Sequence, residues 1–163
     1  MKRGEKVVLI IMAVVVIGTM ARNIWVQRSS GEVDPGIPFY TSADDALSHD
    51  GMDVYRKHNC KQCHSLWTVK NMQETVPAPK LDGIGAIRDE AWLYAYLSSE
   101  HPQEILPSRL LPEWRMPSYA ALPEAERRTL ARYLASLQVK DWYLEETRKA
   151  EYEKLTGKPY KHE

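Results

Sequence analysis

The chain has 163 residues, room for one modest domain with attachments. Its 22 basic and 22 acidic residues cancel to a formal charge of +0 with a pI near 7.0, which removes the electrostatic case for nucleic acid as a partner. Ten prolines and a single phenylalanine, beside nine tyrosines and five tryptophans, predict a loop-rich fold whose aromatics mostly carry a polar handle.

At the amino end, Lys2, Arg3 and Lys6 precede an apolar run over residues 7–21. At helical rise those residues reach about 22 Å, short of a hydrocarbon core of about 30 Å. Continuing through Ile24, Trp25 and Val26 supplies the missing length, with Arg22 snorkelling and Trp25 at the interface. Two readings share these features. A cleaved signal peptide has the same basic start and apolar middle, with Thr19-Met20-Ala21 as its cleavage site. A retained single-pass anchor over residues 1–28 uses the longer segment. In both, the basic residues keep the amino end cytoplasmic and send the rest of the chain across the membrane.

Residues 29–41 are rich in Gly, Pro and Ser and have no apolar period, so they read as a short tether. A helix in one or two pieces follows and ends just before Cys60, with Ser42 as its expected N-cap and Asp44 and Asp45 in its first turn. Beyond Ser65 no period is sustained, and "VPAPKLDGIG" reads as loop. "RDEAWLYAYLSS" restarts a helix capped by Asp89, with Trp92, Leu93, Tyr96 and Leu97 on one face. The four prolines of residues 99–118 argue against any regular element there.

The next helix has Pro123 at its first position and Leu130, Tyr133, Leu134 and Leu137 in an i, i+3, i+4, i+7 stripe. Residues 139–163 are mostly charged. Glu145 with Lys149, then Gly157 and Pro159, predict a helix of about four turns, read either as solvated or as a docking element led by Trp142 and Tyr143. No segment alternates as a strand. The helical core is thin for such long loops, which independently suggests a bulky apolar cofactor at its centre.

Both cysteines lie in "HNCKQCHSLW". A structural zinc site needs four ligands, and His49, His58, His101 and His162 form no pair with ligand spacing. A thioredoxin-like redox pair needs a βαβ context that is absent here. A disulfide between Cys60 and Cys63 would close a tiny loop and stabilise little. His64, directly after Cys63, shifts the balance, because Cys-x-x-Cys-His is the attachment pattern for haem c. The two thiols add across the vinyl groups of one haem, and the histidine that follows reaches the iron.

For the second axial position, Met52 and Met72 lie too close to the motif in sequence. Met116, in "WRMPSY", sits far downstream in a proline-rich loop, and Pro117 favours an extended conformation for it. His101 is the alternative ligand. Trp67, Trp92 and Trp114 are candidate haem neighbours or ordinary core.

Residues 42–138 resemble the class I monohaem cytochrome c domain. The pieces "GMDVYRKHNCKQCH", "APKLDGIG", "MPSY" and "LARYLASL" stand in family order. The resemblance implies an all-α fold of short helices and long loops around one covalent haem c. It also implies a crossing of Gly51 and Tyr55 against Leu130 and Tyr133, and a carbonyl of Pro79 offered to the proximal His64. Ala78 departs from the family, which usually has glycine at that place. The layout, with an anchor and an extra C-terminal segment, is similar to the small cytochrome c subunits of terminal oxidases and nitric oxide reductases.

The function so implied is single-electron transfer by a non-enzymatic subunit of a respiratory complex, on the periplasmic side of a bacterial inner membrane. Its partners would be the membrane and other redox subunits, with no small-molecule substrate. A tethered shuttle between complexes, and a haem sensor or peroxidase with a displaceable Met116, are the alternatives.

Overall fold

A computed structural model describes residues 3–29, 36–67 and 78–161. Met72, His162 and residues 30–35 of the tether lie outside the described residues. The chain divides into two units, Met1–Gly36 and Ile37–Glu163.

The first unit holds α1 (Arg3–Ser29), one continuous helix of 27 residues. Its segment Gly4–Trp25 runs 22 residues at a mean hydropathy of 2.3, and none of its apolar window is buried. Such a segment is about 33 Å long, enough for a hydrocarbon core of about 30 Å. By length and composition it can cross a membrane, a test that a signal sequence passes equally.

The second unit is built on three helices: α2 (Asp45–Lys57), α3 (Glu90–Ser98) and α5 (Glu124–Ser136). Asp89 caps α3 as expected, its Oδ1 accepting from the Trp92 N–H at 2.7 Å. The cap of α2 is Asp44, which accepts from the Leu47 N–H at 2.8 Å, and not Ser42. Ser42 is otherwise engaged, since its N–H donates to the Ser136 carbonyl at 2.9 Å. Pro123 sits one position outside α5, because its ψ of 136° is extended.

The expected stripe on α5 forms the centre of the core. Leu130, Tyr133, Leu134 and Leu137 are all buried, together with Tyr55, Leu66, Leu93 and Leu97. At Gly51 the α2 backbone lies directly on the Tyr133 side chain, where a Cβ would run into the Cβ and Cγ of that tyrosine. Only glycine permits an approach this close.

Two differences from the sequence reading share one cause. Leu137 leaves the helix, and β2 (Leu137–Val139) pairs antiparallel with β1 (Phe39–Thr41), Phe39 opposite Val139 and Thr41 opposite Leu137. Three-residue strands are too short to display the period-two pattern that identifies a strand in sequence. The proline-rich stretch also holds short regular pieces, α4 (Pro102–Ile105) and a 3-10 turn over Pro112–Trp114. In each the proline occupies the first turn, where a missing N–H is tolerated.

The last helix, α6 (Asp141–Thr156), ends at Gly157 with φ 67°, the left-handed cap expected from the sequence. It is tied to its own unit. Tyr143 packs edge-on against Phe39 with centroids 5.4 Å apart, and Arg88 pairs with Glu151 at 2.9 Å.

Candidate haem-binding site

Helix α2 stops at Lys57, and Asn59 takes a left-handed conformation (φ 56°, ψ 26°) that asparagine tolerates better than most residues. The reversal feeds a 3-10 turn over Cys60–Gln62, whose Cys60 carbonyl accepts from the Cys63 N–H at 3.2 Å and from the His64 N–H at 2.9 Å. Cys60, Cys63 and His64 therefore share one turn. The two cysteines are half-buried and not bridged to each other. Burial pushes the Cys60 thiol up to about 11, and Cys63 adds to the rise. Surroundings that oppose a thiolate suit an uncharged thioether.

His64 Nδ1 lies 2.8 Å from the Pro79 carbonyl oxygen. A carbonyl only accepts, so Nδ1 carries the proton and Nε2 the lone pair, the tautomer of a metal-ligating imidazole. Behind the ring, the Tyr55 hydroxyl donates to the His64 carbonyl at 2.7 Å. The Leu81 N–H donates to the Ser65 carbonyl at 3.0 Å, holding the Pro79 segment beside the motif. Ala78 is buried at 8% exposure.

Met116 is half-buried and packs against the core cluster, as do Cys60, Trp67 and Tyr119. Tyr119, three residues on, is half-buried as well. Burial above all, together with Cys60 and Cys63, pushes its hydroxyl pKa up to about 12. The Tyr119 ring also meets His58 edge-on at 6.4 Å.

The remaining candidates are placed elsewhere or otherwise engaged. His101 is exposed, and His49 is exposed beside Asp50 and Asp53. His58 bonds Glu126 at 2.6 Å. Trp92 stacks on Tyr96 and lies under Arg88, and Trp114 is exposed. Trp67, with φ 56°, donates its indole N–H to the Tyr133 hydroxyl. Among the described residues, no three His, Cys, Asp or Glu side chains form a metal-holding group.

A family model for cytochrome c matches residues 48–138. The chain belongs to the cytochrome c family. No curated protein and no solved structure gives a match. Membership implies haem-based electron transfer, and the donor set of this cytochrome fits the group: two thiols on one turn, an imidazole with its lone pair on Nε2, and a thioether on a loop that meets the same core.

Sequence reading missed three contacts here: Tyr55 on the His64 carbonyl, the Tyr119 ring against His58, and Gln103 on the Met116 carbonyl. Tyr119 had a signal, standing three residues after Met116. Gln103 had none.

Proposed function

We propose that this cytochrome is a membrane-anchored monohaem electron carrier and a subunit of a respiratory electron-transport complex. Cys60 and Cys63 would carry the thioether links, and His64 and Met116 would supply the nitrogen and sulfur ligands to the iron. Bound there, haem supplies one-electron redox chemistry. The observation that carries the reading is the His64 Nδ1 to Pro79 carbonyl bond, which orients the imidazole and presents Nε2 as the donor. Methionine together with histidine on the iron would raise the potential and leave no position open, which favours electron transfer over ligand chemistry.

Helix α1, with its basic start, supports an anchor in a bacterial inner membrane and a haem domain on the periplasmic side. Helix α6 gives the domain an extra surface beyond the family match, which suits a fixed place among other subunits.

The full chain, extracted in mild detergent, tests these points together. Cys60→Ala with Cys63→Ala should abolish haem staining after denaturing electrophoresis. Met116→Ala should lower the midpoint potential and let the reduced protein bind carbon monoxide. An unchanged spectrum and potential in Met116→Ala would remove the ligand assignment. Recovery as a monomer, with no redox protein copurifying, would replace the subunit reading with a tethered shuttle.

A further inference from the structure

Two hydrogen bonds bracket Met116. On one side the Gln103 amide donates from Nε2 to the Met116 main-chain carbonyl at 2.8 Å. On the other the Ser118 hydroxyl donates to the Ser99 carbonyl at 2.8 Å. Both partners lie in residues 99–103, between the end of α3 and the first turn of α4. One short piece of chain thus holds the loop before and after Pro117, whose ring fixes φ between the two attachments.

That piece is itself well tied. The His101 N–H donates to Ser99 Oγ at 3.0 Å, and the Leu106 N–H closes α4 on the Pro102 carbonyl at 2.9 Å. Pro102 is buried. Ser118 Oγ also accepts from the Ala120 N–H at 3.2 Å, which fixes its rotamer.

We propose that Gln103 and Ser118 form a two-point clamp that holds Met116 at the sixth haem position, and that Gln103 is a positioning residue controlling how readily that methionine yields to another ligand. The proposal rests on Met116 being the ligand. Exchange requires the loop to carry the thioether away, and a loop pinned at two points gains less chain freedom by leaving. Neither hydrogen bond involves the buried helical core, so the clamp acts on ligand exchange more than on folding.

The test uses the full haem-loaded protein in detergent. Gln103→Met removes the donor at nearly constant volume, and Ser118→Ala removes the second attachment at an exposed residue. Each should raise the apparent carbon monoxide affinity of the reduced protein about fivefold, the effect of one ordinary hydrogen bond. Each should also weaken the sulfur-to-iron band of the oxidised form while the global unfolding midpoint stays near that of the parent. Met116→Ala, measured alongside, separates the two ideas. If it binds carbon monoxide tightly while Gln103→Met and Ser118→Ala match the parent, the clamp is wrong and the ligand stands. If Met116→Ala also matches the parent, the ligand assignment falls and the clamp with it. Should Gln103→Met load poorly with haem, Ser118→Ala alone decides.

Discussion

The Tyr55 hydroxyl donates to the main-chain carbonyl of His64 at 2.7 Å. This bond ties the last turns of α2 to the residue after the second cysteine, across the left-handed Asn59. Pro79 holds the same histidine by its ring. The imidazole is therefore fixed from the main chain and from the side chain at once.

Tyr55→Phe keeps the buried ring and leaves the His64 carbonyl without this donor. The haem-loaded protein should lose about 1–2 kcal/mol in chemical denaturation, with a broadened or shifted histidine–iron signature. Unaltered stability and spectra would mean that the bond does not hold the motif.

Gly51→Ala pits two effects against each other. Alanine in a helix gains about 1 kcal/mol over glycine, whereas overpacking a close contact costs about 1–3 kcal/mol. The contact is with the root of the Tyr133 side chain, at its Cβ and Cγ, which cannot rotate out of the way. Overpacking should win, and α2 should be forced off α5. A melting temperature at or above that of the parent would show that the crossing has slack.

Glu126 bridges the end of α2 to α5, accepting from Lys57 at 2.7 Å and from His58 at 2.6 Å. Lys57 first, and His58 second, hold its carboxyl below the ordinary carboxylate value. A carboxyl lowered on folding adds stability above its unfolded pKa and loses it as the pH falls through the folded value. Glu126→Gln should thus be less stable than the parent at pH 7 and converge with it in acid, and added salt should narrow the neutral gap. Urea midpoints at neutral and acid pH measure this. A gap that persists undiminished in acid would assign the loss to packing.

How much was legible follows from the range of each interaction. Asp89, the α5 stripe and the Gly157 cap act within one or two turns, where residue type and spacing carry the signal. Ser42 shows the limit. It has the right chemistry for a cap, yet pairing with Ser136, 94 residues away, takes it out of contention and leaves the role to Asp44. The same pairing draws Leu137 out of the helix whose stripe it completes.

By itself the sequence determined the chemistry. Cys60, Cys63 and His64 are neighbours, so their common turn is a local matter and their ligand types name the group they suit. It also determined which faces of the helices are apolar, since that depends on helical period alone. Only the tertiary structure decided how the site is held. Tyr55 on the His64 carbonyl, Gln103 on the Met116 carbonyl, and the β1–β2 pair are single hydrogen bonds or three-residue ladders between segments that are separated in the sequence. Such contacts repeat with no period and require no distinctive residue, so they become visible only when the fold sets their partners side by side.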